Sequence, residues 1–199
     1  LPSDRSFLGF DTSAAHCAAA LLRGGRIVVS RLEPMQRGQA ERLMPLLQEV
    51  LDEGGLGWSD LTAIGVGVGP GNFTGIRIAV SAARGLALGL GVPAVGVNGC
   101  QARGWLVPNG AVAIPAPRDQ VYLCDSTDSC AMPRLMPRAE AEAIAGGPLH
   151  AEASPKRLAE AIAWSASANW QTVITPPAPL YARAADAAPS RDTPPVLLD

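Results

Sequence analysis

Metal and redox chemistry have little to work with in this chain. Its four cysteines, Cys17, Cys100, Cys124 and Cys130, make no CxxC pair, and its two histidines, His16 and His150, stand at no spacing that completes a zinc site. The cysteines are expected to be buried or incidental thiols in a reducing cytosol, and the histidines ordinary surface or core residues. Charge is scarce as well. Asp, Glu, Lys and Arg make up 17% of the 199 residues and leave a net charge of −2, so no basic excess is available to neutralise phosphates, and any role with RNA is expected to be indirect. Aromatic residues are 5% of the chain; Trp58, Trp105, Trp164 and Trp170 share no spacing and read as packing residues. No run approaches the ~20 apolar residues of a membrane-crossing helix. Asp4 and Arg5 interrupt any signal-peptide pattern, and the chain does not open on Met, which reads as a trimmed start. The expected location is the cytoplasm, with no membrane attachment.

What is abundant is apolar and small. A hydrophobic content of 48% argues for a folded protein with room for one generous domain or two small ones. The 21 glycines and 18 prolines exceed ordinary usage of roughly 7 and 5 per cent, with glycine at the joints between elements and much of the proline near the C-terminal end. Apolar runs at 7–11 and 17–22, the hairpin sequence Arg23-Gly24-Gly25-Arg26 and the β-branched run 27–30 predict three consecutive antiparallel strands. The period then changes. Over 41–53, Leu43, Leu46, Leu47 and Val50 share one face, which predicts an amphipathic helix ended by Gly54-Gly55; Pro45 suits its first turns, so its regular part is expected to begin later than Glu41. Ser59-Asp60 reads as a turn or cap. A buried strand over 63–68, a Gly-rich turn, a helix over 74–90 and a strand over 94–97 make a βαβ crossover, so those two strands are expected to be parallel. Beyond Asn98 the pattern weakens to a short helix at 102–106, strands at 112–114 and 121–124, a helix over 155–168 with Ser154 as cap and Pro155 first, and a last strand at 172–175. Proline makes further helix or central strand after Pro176 unexpected.

The candidate chemistry sits at two joints. Asp11-Thr12-Ser13 ends the first strand, where a carboxylate can hold a metal or a water near a phosphate or simply cap a turn. Gly69, Gly71, Thr74 and Gly75 belong to a strand-to-helix loop whose amides can approach an anion, yet the Lys of a phosphate-binding loop and the acidic residue of a dinucleotide fingerprint are both missing. With Asp11, Thr12 and Ser13 these residues form a candidate vestigial nucleotide site. Ser13 has no His and Asp partners that spacing alone brings to it, and no metal site is expected. The helix over 74–90 carries Arg77, Ser81 and Arg84 on one stripe and Ala79, Ala82, Ala83, Gly85, Ala87 and Gly89 elsewhere. Packing on a sheet accounts for one apolar face of it; the other needs a cover, internal or from a partner.

Several segments, in order, resemble the TsaB (YeaZ) family: FLGFDTS at the start, RGQAERLMPLLQEVL at 37–51, DLTAIGVGVGPGNFTGIRIAVSAARGLALGLGVPAVGV at 60–97 and PLYARAADA at 179–187. The likeness covers about the first hundred residues and the tail, and GPGNFTGIR is its most specific part. It implies an α/β, actin-like (ribonuclease H-like) fold of two related lobes, mixed sheets flanked by helices, with an N-terminal lobe at 1–98 and a smaller, truncated lobe with a Pro-rich tail at 99–199. It also implies a non-catalytic scaffold that binds a TsaD homologue, together with the ATPase TsaE, in threonylcarbamoyl modification of adenosine 37 of tRNA. Alone, such a chain forms a homodimer through the same two helices, which places Leu43, Leu47, Arg77, Val80, Ala83, Arg84 and Ala87 at the interface. No cofactor of its own is implied; ATP or ADP and metal belong to the partner subunits, and contact with tRNA is indirect. Two departures stand out: Gln39 where members often carry His, and Pro115-Ala116-Pro117-Arg118-Asp119 where an acidic strand motif is usual. An ATP-binding enzyme of the same fold using Asp11 and the glycine loop, or a glycoprotease-like peptidase, are the alternatives.

Overall fold

The structure is a computed structural model and describes residues 5–107, 110–125, 127–128 and 130–182. The chain opens on β1 (Ser6–Asp11), β2 (His16–Arg23) and β3 (Arg26–Pro34), an antiparallel meander. Its tight hairpin is set by Gly24 and Gly25, both at positive φ. Helix α1 (Gln39–Glu53), strand β4 (Ala63–Gly67), helix α2 (Phe73–Leu90) and strand β5 (Ala94–Val97) follow. β4 pairs parallel with both β1 and β5, giving one five-stranded mixed sheet in the order β3-β2-β1-β4-β5.

Every residue of β1 and β4 is buried, because the sheet is covered on both faces. The two-residue period sorts them. Leu8, Phe10, Ile64 and Val66 pack with Leu43, Leu46, Leu47 and Val50 of α1 and Ile76, Ala79, Val80 and Ala83 of α2; Phe7, Ala63 and Val95 face the opposite way. That second face is closed by α5 (Pro155–Asn169), whose Ala161, Ile162, Ala163 and Ala166 share its core. The helix lies very close. A Cβ on Gly9 would stand 2.5 Å from the Ala163 nitrogen, and one on Gly65 2.7 Å from the Ile162 oxygen. So α5, which starts 58 residues after β5 ends, completes the core of the first hundred residues.

Between them lie α3 (Gly99–Leu106), the hairpin β6 (Ala113–Ala116) and β7 (Gln120–Leu123), then β8 (Arg134–Pro137) and α4 (Arg138–Ala145). β6, β7 and β8 form a separate antiparallel sheet, and Ala113, Val121, Met136 and Ala141 build a small core of their own. The β6–β7 turn falls in the Pro115–Asp119 stretch, with Arg118 and Asp119 both at positive φ.

Four expectations need correction. α1 begins at Gln39 rather than after Glu41, and Pro45 is interior to it; Pro45 is exposed, so the carbonyl it leaves unpaired is hydrated at little cost. Residues 172–175 form no strand: Pro176-Pro177 removes two donors from any ladder, and the chain runs on past β5 with Pro177 beside Gly96, Leu180 N–H then donating to the carbonyl of Val68, just beyond β4, at 2.7 Å. The cysteines are not all thiols. Cys100 and Cys124 form a disulfide joining α3 to the end of β7, Cys130 is free and exposed, and only Cys17 is a buried thiol, its pKa pushed up to about 11 chiefly by burial. Finally, α2 is long and apolar enough by composition to cross a membrane; here Ile76, Ala79, Val80 and Ala83 seat it on the sheet. Among the tryptophans, Trp58 is half-buried and donates Nε1–H to Gln48 Oε1 at 2.6 Å, whereas Trp105 is exposed and stacks on Trp164. The tail motif beyond residue 182 lies outside the described residues.

Candidate functional site

β1 delivers Asp11 to the end of the sheet, and the short turn into β2 brings His16 back over it. Asp11 Oδ2 accepts from Ser13 N–H at 3.1 Å, Ser13 Oγ–H at 2.8 Å and His16 Nε2–H at 2.9 Å, and Asp11 and His16 are both buried. The sequence reading left these three apart. The turn connects them in the order Ser–Asp–His, with the carboxylate in the middle. In the triad arrangement the imidazole stands between hydroxyl and carboxylate, so Ser13 has no imidazole base here.

The glycine loop is packed onto this turn. Asn72 N–H donates to the Ser13 carbonyl at 2.6 Å, Thr12 Oγ1–H donates to the Gly75 carbonyl at 2.7 Å, and Asn72 Oδ1 caps α2 by accepting from Gly75 N–H at 2.9 Å. A Cβ on Gly71 would fall 2.4 Å from the Ser13 oxygen and one on Gly75 1.9 Å from the Thr12 oxygen. The glycines are there so that two backbones can touch. The amides of Asn72 and Gly75 are spent inside the protein, and Thr74 points to solvent.

Asp11, Ser13 and His16 open on a cleft of ≈ 220 Å³ between the main sheet, α3, α5 and β6. Arg103 of α3 lines it from another side. This residue escaped the sequence reading, for a single Arg in a short, weak helix carries no pattern. Arg103 is only 8% exposed; its Nε–H donates to the Ala151 carbonyl and Nη1–H to the Gly99 carbonyl, each at 3.2 Å. Burial pushes its pKa down, against the opposing pull of Asp11 and Glu152. No group of three or more His, Cys, Asp or Glu side chains that could hold a metal ion occurs among the described residues.

The second candidate surface is the outside of α1 and α2, which lie side by side on one sheet face. Leu43, Leu47, Val80 and Ala83, expected at an interface, are buried in the chain's own core. Their period marked the face toward the sheet, and a partner cannot reach them. Ala87 is half-buried, while Arg77 and Arg84 are exposed. The uncovered apolar side chains are Met44, Phe73 and Leu88, the last 87% exposed, and Gly85 and Gly89 face open space. At the N-terminal end of α2, Arg77 lies over the Phe73 ring and donates Nε–H to Tyr181 Oη at 2.8 Å, which pins the tail to the helix.

Residues 33–131 match the family described as "TsaD: tRNA N6-adenosine threonylcarbamoyltransferase". The chain is 37% identical over 121 residues to the tRNA threonylcarbamoyladenosine biosynthesis protein TsaB of Escherichia coli (strain K12), an alignment covering 58% of this chain and 52% of the relative. The chain thus spans about half the length of the curated TsaB relatives it matches. An uncharacterized protein of Mycobacterium tuberculosis (strain ATCC 25618 / H37Rv) is 33% identical over 199 residues, 92% of this chain and 93% of that one. Among solved structures, an uncharacterized protein with similarity to peptidase YEAZ from Pseudomonas aeruginosa superposes with a TM-score of 0.67 at 27% identity, covering 90% of this chain and all of the other. YeaZ from Pseudomonas aeruginosa gives 0.64 at 28%, covering 85% and 95%. With a mixed sheet held between helices, the fold is actin-like, of the ribonuclease H-like kind.

Proposed function

The chain belongs to the TsaB (YeaZ) family, and from that premise we propose that it is a non-catalytic scaffold in the threonylcarbamoyl modification of adenosine 37 of tRNA, docking a TsaD homologue on the outer face of α2. The observation that supports this most is the uncovered apolar and small-residue surface of that helix, with Leu88 87% exposed and Gly85 and Gly89 open. Small residues let a second helix approach closely, and an exposed leucine beside them supplies apolar area to bury. Arg77 and Arg84 flank the strip and would set register through charge. In this reading TsaE joins the same assembly in the cytoplasm, ATP or ADP and metal sit on the partner subunits, tRNA is touched only indirectly, and two copies of the chain pair through α2 when no partner is present. The inverted Ser–Asp–His order argues against a peptidase, and the use of the Asn72 and Gly75 amides inside the protein argues against an ATP-using enzyme.

A pair of substitutions on α2 separates docking from folding. Leu88→Glu is expected to leave the melting temperature within about 1 °C while reducing co-purification with a TsaD homologue and tRNA modification by the reconstituted complex at least tenfold. Ala83→Glu, with its side chain driven into the core, is expected to unfold the domain. Normal partner binding by Leu88→Glu would remove the assignment.

A further inference from the structure

The cleft beside Asp11 presents a problem that the docking role does not solve. A buried charge is ordinarily paired, yet Arg103, 8% exposed, forms no ion pair among the described residues; its bonds go to two backbone carbonyls. Nη2 takes part in neither bond, and the residue lines the cleft. Across that space, Asp11 Oδ2 takes all three hydrogen bonds made to the carboxylate by Ser13 and His16. Oδ1 lies over Gly67, where a Cβ would come within 2.0 Å of it, and accepts none among the described residues. Gly67 lines the same cleft. One half-open cleft therefore brings together a cation with no ion-pair partner among the described residues and a carboxylate oxygen with no protein donor among them, both within reach of a ligand. Between them the walls are apolar, from Val97, Ile114, Leu158 and Ile162. Apolar walls with a few convergent polar groups are the general form of a small-ligand site.

We propose that this cleft binds a small acid with a hydroxyl or ammonium group next to its carboxylate, the carboxylate on Arg103, the hydroxyl or ammonium on Asp11, and a short aliphatic side chain against the apolar walls. Arg supplies a forked donor suited to a carboxylate. The volume of ≈ 220 Å³ lies below the roughly 300–1,000 Å³ of drug-sized pockets, so a nucleotide does not fit. The site is separate from the α2 face, and its fate does not depend on the docking reading.

The test is calorimetric titration of the full chain with L-valine, 2-hydroxyisovalerate, isobutyrate and AMP, each to roughly 10 mM, the range of weak specific sites. L-Valine or 2-hydroxyisovalerate is expected to bind, and isobutyrate, lacking the donor, at least tenfold more weakly. Arg103→Met is expected to weaken the bound probe at least tenfold. Because Arg103 also ties α3 to Ala151, Ala153→Leu serves as a second variant: it fills the cleft from a loop residue and is expected to abolish binding with the melting curve unchanged. Failure of both L-valine and 2-hydroxyisovalerate to bind overturns the proposal. So does equal binding of isobutyrate, binding of AMP in their place, or binding that survives Ala153→Leu.

Discussion

Gly75 shows how much one missing methyl group decides. Any Cβ there would press on the Thr12 carbonyl at 1.9 Å, and that oxygen belongs to the turn that presents Asp11. Gly75→Ala must therefore push the glycine loop off β1's end and is expected to destabilise the fold by about 1–3 kcal/mol in urea titrations. Gly85, in the same helix, faces open space; Gly85→Ala is expected to stabilise the isolated chain by about 0.4–1 kcal/mol, by restricting the unfolded chain and favouring helix. A loss at both positions, or at neither, would contradict this division. The same residues mark what sequence could reveal of the site. Asp11 and Ser13 were legible because a polar cluster ending an apolar strand is a local signal. His16 and Arg103 were not: the first reaches Asp11 only through the turn's geometry, and the second comes from a helix nearly a hundred residues away. Periodicity in α1 and α2 likewise identified their sheet-facing side chains; it set Met44 beside them, although Met44 is exposed, and left the outward Leu88 unremarked.

Elements were readable where periodicity was long. α1, α2 and the βαβ unit were evident from 3.6-residue and strand patterns over ten or more positions, and the parallel pairing of β4 and β5 follows from crossover geometry. α3 was caught late, although Asn98 caps it through the Cys100 and Gln101 amides while Gln101 Oε1 accepts from Asn98 N–H; the box lay next to a glycine that weakened its appearance. The 172–175 segment looked like a strand because β-branched residues are common there, but a ladder needs donors that the following prolines lack. α1 also carries a test of its own. Arg42 bridges from the helix to Glu33 on β3 at 2.5 Å and to Glu49 two turns further on at 2.6 Å. The Arg42 hydrogen bond is the largest cause holding the Glu33 carboxyl below its ordinary value of 4.5. A depressed carboxyl contributes stability at neutral pH, and the contribution disappears as pH falls through the folded pKa. The Glu33 side chain is 36% exposed, so screening keeps the pair to about 0.2–1 kcal/mol. The melting temperature of Glu33→Gln is expected to lie below that of the parent chain at pH 7, with the gap closing below about pH 4 and shrinking in high salt. A gap that persists in acid would place the effect in packing instead.

At the scale of the whole molecule, two of the ties between segments distant in sequence set how its parts depend on one another. One is α5, whose alanines lie against the glycines of β1 and β4; the other is the Cys100–Cys124 disulfide, which binds α3 to β7 across 24 residues. The small sheet has few large apolar side chains in its own core, so it depends on such ties more than the main sheet does. A cross-link over a loop of this length removes unfolded-state entropy equivalent to about 3 kcal/mol in the chain-entropy picture. The oxidised chain is accordingly expected to melt higher than the same chain in excess dithiothreitol, and Cys100→Ser with Cys124→Ser should match the reduced curve and no longer respond to reductant. The site gives the tie a second readout. α3 carries Arg103 on the cleft-facing side, two carbonyls fix its guanidinium, and β6 supplies Ile114 to the same cleft beside it. Opening the disulfide frees the β7 end of the hairpin from α3 but leaves Asn98 capping the helix, so loosening should concentrate in residues 110–123. Hydrogen exchange is the measurement that checks it. Reduction should speed amide exchange in β6 and β7 while β1, β4 and α5 keep their protection; equal acceleration throughout would mean that the tie stabilises the whole fold rather than the small sheet.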